Sequence, residues 1–181
     1  MTHPTRWIAL GVAVVVIAVG VVLATQVGGD PREDSTRSQL VGERAPGFSV
    51  RPLEGGTLTR ADLAGRVAIV NFWNTWCAPC RAELPALKRF AARHRDDPTV
   101  AFLGIVRDDE ERAVRDYVAA EGIDWTVAMD PEARAALGFG TRGQPETFAI
   151  SPGGVIAGAQ IGPASVADLE TMLEAAKGAR R

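Results

Sequence analysis

The sequence predicts an α/β fold, and three observations carry the prediction. "RVAIVNFW" (66–73) and "TVAFLGIV" (99–106) are β-branched apolar runs, as expected of strands buried on both faces. Each is followed by a segment with helical spacing of its apolar residues. The chain then closes on a strand pair and a last helix, so a central sheet with helices on both faces is expected.

The elements follow in order. After the first strand, "APCRAELPALKRFAARH" (78–94) repeats apolar residues at Leu84, Leu87 and Phe90, and Pro85 is expected to kink it. "DDEERAVRDYVAAEG" (108–122) reads as a helix with acidic residues in its first turn and Gly122 as its stop. "DWTVAMD" (124–130) gives a short strand. "DPEARAALG" (130–138) opens with Asp130 as cap and Pro131 at the first helical position. "ETFAI", "SPGG" and "VIAGAQI" (146–161) read as two strands around a turn. "SVADLETMLEAAKG" (165–178) begins with a Ser-x-x-Asp capping box and continues at helical period.

The amino terminus differs from the rest. From Trp7 to Val27 the chain carries no charge, and a helix of that length spans about 31 Å, roughly a bilayer core. The expected organisation is a cytoplasmic segment 1–6, a transmembrane anchor 7–27, a flexible tether 28–44 and a domain 45–181. A cleaved signal peptide is the competing reading, but the run is long for one. Arg6 precedes the span and a sign-mixed, acid-leaning stretch follows, so the positive-inside rule puts the domain outside the cytoplasm. Residues 28–44 lack apolar periodicity and suit a tether. A formal charge of −2 argues against a nucleic-acid-binding surface.

The two cysteines of the chain, Cys77 and Cys80, lie three positions apart where strand gives way to helix. Unpaired N–H groups and the helix dipole there favour a thiolate, so the Cys77 pKa should fall below its free value of about 8.5. Cys80 lies one turn on, within disulfide reach, and Pro79 stiffens the turn between them. An exposed Cys77 would attack a substrate disulfide, and Cys80 would resolve the mixed disulfide. The competing readings are weaker. A structural disulfide closing so short a loop stabilises little. A zinc site needs about four ligands, and His3 and His94 are the only histidines. Two inert buried cysteines sit poorly with Pro79 and the helix start. A Cys–His nucleophile fails because His94 lies about four turns down the same helix. No metal or cofactor is expected.

"VNFWNTWCAPCRAELPAL" (70–87) with "GQPETF" (143–148) resembles the membrane-anchored thioredoxin-like family of CcmG/DsbE, ResA and TlpA. "GERAPGFSV" and "LAGRVAIVNFW" fit the entry segment of that family, so the likeness covers about residues 41–178. "GIDWTVAMDPEARAALGFGTRGQPETF" (122–148) looks most like the CcmG/DsbE branch. The resemblance implies a thioredoxin fold with an extra strand-helix unit at Trp125–Leu137. It implies a role in cytochrome c maturation, reducing the haem-attachment cysteines of apocytochrome c, and protein substrates that are apocytochrome c or other exported thiol proteins. With a single cysteine pair, such a reductant needs electrons from a membrane thiol protein.

Carried over by position, Cys77 matches the nucleophile and Cys80 the resolving thiol. Pro145 matches a proline with a cis bond before it that faces the disulfide, and Gln144 would offer backbone groups to an extended substrate. Glu83 and Glu146 match acidic positions of the family, as groups that tune the thiols or move a proton. Their bland reading is a solvated surface. Asn71 stands where thioredoxin carries a buried aspartate, so that proton task passes elsewhere, with Glu83 and Glu146 as candidates. Trp76 is expected as an apolar platform beside Cys77, Trp73 as core, Trp7 at a membrane interface and Trp125 as core. Two other readings stay open: an oxidant of exported proteins, and a non-catalytic chaperone or binding module. A peroxidase is disfavoured, because no Pro-x-x-x-Thr-x-x-Cys segment surrounds Cys77.

Overall fold

The computed structural model describes residues 12, 14, 17–19 and 40–179. The chain divides into two compact units, 1–36 and 37–181. In the first, the described residues are helical. The rest of the expected anchor 7–27, with Trp7, and most of the expected tether 28–44 lie outside the described residues. Among the described residues no helix is long and apolar enough to cross a membrane.

The second unit is built on a seven-stranded mixed sheet. Its elements are β1 (Ser49–Pro52), β2 (Leu58–Thr59), a 3-10 turn (Arg60–Leu63), β3 (Val67–Trp73), α1 (Ala78–His94), β4 (Val100–Val106), α2 (Glu111–Glu121), β5 (Thr126–Met129), α3 (Arg134–Gly138), β6 (Glu146–Ile150), β7 (Ile156–Ile161) and α4 (Val166–Gly178). The strand order is β2-β1-β5-β4-β3-β6-β7. β3 pairs in parallel with β4 and antiparallel with β6, and all seven of its residues are buried. That explains its near-continuous apolar run, broken at Asn71: a strand with covered faces has no use for alternation.

Alternation along β3 still decides which core each residue joins. Val67 and Ile69 pack with Leu87 and Phe90 of α1 and Leu169 and Leu173 of α4. Ala68, Val70 and Phe72 pack against the opposite face with Phe139 and Phe148. Asn71 and Trp73 therefore point to the α1 side, by the two-residue period of a strand. The parallel steps from β3 to β4 to β5 move in one direction across the sheet. Right-handed crossovers then put α1 and α2 on one face. Short α3 and the 3-10 turn belong to the other.

Three local outcomes depart from the sequence reading. The 130–138 segment does not open its helix at Pro131. Asp130 caps from further back: its carboxylate accepts from the N–H groups of Ala135 (3.2 Å) and Ala136 (2.9 Å), which delays α3 to Arg134. The 108–122 helix starts at Glu111, because Asp108 adopts a left-handed φ of 52° and Asp109 turns toward the cysteine loop. Gly122 does end it, in the left-handed conformation. Finally, β1 and β2 form an antiparallel pair that no periodicity announced, since two to four residues are too few to show a period. The strand-helix unit expected at Trp125–Leu137 is present as β5 and α3, and α1 runs on through Pro85.

Candidate active site

α1 begins one residue after Cys77, so Cys77 is its N-cap. Its sulfur accepts the backbone N–H of Cys80 at 3.2 Å, in the place where a serine or aspartate oxygen usually sits. Pro79 occupies the first turn, where a missing N–H is harmless, and no acidic side chain enters that turn. The macrodipole there meets sulfur without a competing carboxylate. Cys77 and Cys80 are joined in a disulfide. Each residue is only 5% exposed, so Cys77 is more sheltered than the sequence reading expected. Both pack with Trp73, Leu84, Val106 and Val114. Trp73 is core, as expected; Trp125 is half-buried and stacks on Phe102 at 4.8 Å between centroids.

The loop between β3 and α1 is held from a distance. The Asn74 amide donates to the Arg107 carbonyl. Asp109 accepts from the Thr75 N–H at 2.7 Å and from its hydroxyl at 2.9 Å. Trp76 is 58% exposed, yet its indole N–H donates to the Asp108 carbonyl at 3.2 Å. Arg81, from the second turn of α1, donates to the Thr75 carbonyl at 2.7 Å. Trp76 is thus an exposed apolar surface on a fixed mount. Sequence reasoning missed this clamp; "RDDEER" offered only charge, and its partners lie more than thirty positions away.

Glu83 is buried beneath the same helix, 2% exposed, which removes the solvated-surface reading. Its carboxylate accepts the Asn71 amide at 3.0 Å and the Ala164 N–H at 2.8 Å. The second Asn71 amide hydrogen goes to the Thr147 hydroxyl at 2.9 Å, across the β3–β6 pairing. Burial pushes the Glu83 pKa up from 4.5 to about 7, against the opposing pull of those two donors. A carboxyl poised there can take or release a proton near neutrality.

Glu146 is also buried, at 3% exposure, but serves a different neighbourhood. Its Oε1 accepts the N–H groups of Arg142 (2.7 Å) and Gly143 (3.0 Å), tying down the loop before Pro145. Thr147 faces α1, so Glu146 faces the other side of the sheet. The two acids are not brought together. The Gln144–Pro145 bond is cis; Pro145 is buried and Gln144 half-buried.

The sequence profile of the AhpC/TSA family matches residues 41–159. The chain belongs to that family. Among curated relatives, the thiol:disulfide interchange protein DsbE of Pseudomonas fluorescens is 33% identical over 159 residues, covering 87% of this chain and 85% of that one. The thiol-disulfide oxidoreductase ResA of Bacillus thuringiensis is 30% identical over 134 residues, 74% of this chain and 77% of that protein. A crystal structure of a thioredoxin-family thiol:disulfide interchange protein from Chlorobium tepidum superposes with a TM-score of 0.66 at 33% identity. It covers 75% of this chain and 96% of that one. The fold is thioredoxin-like, and this AhpC/TSA member is a thiol:disulfide oxidoreductase of the DsbE/ResA type with a Cys-x-x-Cys pair.

Proposed function

We propose that the protein is an extracytoplasmic, membrane-anchored reductant of protein disulfides, of the CcmG/DsbE branch, serving apocytochrome c during cytochrome c maturation. The observation that carries the chemistry is a disulfide whose first sulfur caps a helix while a buried carboxyl near neutrality waits one turn beyond the second. In the reduced enzyme, the Cys77 thiolate attacks one sulfur of the substrate disulfide. The substrate S–S bond breaks, a Cys77–substrate bond forms, and the departing substrate sulfur takes a proton. Cys80 then loses its proton to Glu83 and attacks the Cys77 sulfur. The mixed disulfide breaks, the departing substrate sulfur takes the proton from Glu83 so that the substrate leaves as a dithiol, and the enzyme holds the Cys77–Cys80 disulfide. Two electrons have moved to the substrate, and a membrane dithiol protein returns them. Exposed Trp76 and Pro79, with Gln144 and Pro145, form the substrate groove. Glu146 acts on the shape of this groove through the 142–143 backbone.

Cys80→Ser tests the roles. It should accumulate mixed disulfides with exported proteins through Cys77; a clean non-reducing gel would favour the non-catalytic binding module. The reduction potential tests the direction. A value nearer thioredoxin's roughly −270 mV than DsbA's roughly −120 mV is expected, and one near the latter would promote the oxidant.

A further inference from the structure

At the end of the sheet opposite the disulfide, a cavity of about 290 Å³ opens between the 3-10 turn and the β6–β7 turn. Its position follows from register: Ile150, the last residue of β6, pairs with Ala68 near the start of β3, whereas Cys77 follows the end of β3. A seven-residue strand separates the two by about 20 Å. Arg44 and Arg60 line this cavity with Ala61, Ser151, Pro152 and Gly154, and no acidic residue does. Among the described residues neither guanidinium makes an ion pair.

Arg60 has a further peculiarity. Its Nε is buried without a hydrogen-bond partner. Its Nη1 lies so near Gly154 that a Cβ there would come within 2.8 Å, and Gly154 carries a φ of 83°. The turn is thus shaped around the guanidinium. A lone buried N–H could be met by water, but water does not offset two positive charges gathered at one hollow. A tetrahedral oxyanion does both, offering several acceptor oxygens to planar guanidinium donors.

We infer that the Arg44–Arg60 cavity binds a phosphate group, remote from the redox centre. The phosphate comes either free from solution or on a phospholipid headgroup. The full-length protein in a nonionic detergent is titrated with inorganic phosphate and, separately, with glycerophosphoglycerol, the soluble headgroup of an anionic phospholipid. Ionic strength is held constant with sodium chloride, and binding is read from the thermal midpoint and from phosphorus NMR line broadening. Saturable binding is expected for wild type, with Arg60→Gln and Arg44→Gln each weakening it by about tenfold or more. Arg89→Gln, on α1, should leave it unchanged. Arg44 is exposed, so its variant keeps the test readable if Arg60→Gln folds poorly. Saturation by the headgroup as well as by phosphate supports the site and assigns it to lipid. Saturation by phosphate alone supports it and assigns it to the free ion. Absence of saturation by either, or equal binding by wild type and Arg44→Gln, overturns it.

Discussion

Glu83 shows how much one side chain's surroundings decide. Three residues beyond Cys80 it could face water or thiol; buried between Asn71 and Ala164 it becomes a carboxyl that ionises near neutrality. The consequence for stability has a definite sign. The folded protein keeps the Glu83 proton up to about pH 7, while the unfolded chain gives it up near 4.5. Between those values the native state binds more protons, so unfolding becomes easier as pH rises through the window. The loss amounts to about 3 kcal/mol in order of magnitude, complete above about pH 7. Glu83→Gln should remove this slope. Urea unfolding of both oxidised proteins from about pH 4 to about pH 8 checks it, and parallel slopes would refute the buried carboxyl. The activity of Glu83→Gln should fall most near neutrality, where the base is needed.

That Glu83 merited attention was legible from its place in the cysteine helix. Its pKa was not, because burial depends on what packs over the helix. Asn71 is similar: its position in a buried strand was plain, and its partner on β6 was not.

Strand β4 carries a constraint of a different kind. Gly104 faces the indoles of Trp73 and Trp125; a Cβ there would lie 2.7 Å from Trp73 Nε1 and 3.3 Å from Trp125 Nε1. The strand therefore tolerates glycine in its interior, where its lost entropy ordinarily disfavours it, because two large rings fill the space. Gly104→Ala should cost about 1–3 kcal/mol by overpacking, read from denaturation, with a shift in tryptophan emission. An unchanged midpoint would mean that Trp73 moves freely, at odds with its packing against Tyr117 at 5.6 Å between centroids. Local rules did decide the start of α4. The Ser165–Asp168 capping box formed as read. α3 did not follow them, because Asp130 reached past the nearest amides to later ones.

The assembled domain brings three distant stretches to the end of the sheet that carries the cysteines: 74–76, 107–109 and 146–147, the last paired with residues 71–72 of β3. Asp109 holds the first to the second through two hydrogen bonds to Thr75. Asp109→Ala should loosen the Trp76 mount and lower kcat/KM for a protein disulfide by about tenfold, with a stability loss of about 1–3 kcal/mol. Turnover with a small disulfide reagent, which needs no Trp76 platform, should change far less. An equal loss with both substrates would show that the clamp serves the sulfurs themselves.

The sequence by itself determined the α/β class and the placing of Cys77 and Cys80 at a strand-to-helix junction. Each rests on spacing within about twenty residues, where period and capping rules act. Only the tertiary structure decided the surroundings of the disulfide. The hydrogen bonds involved join residues 34, 76 and 81 positions apart. Such contacts depend on strand order and register, which set which face each side chain meets and how far it is withdrawn from water.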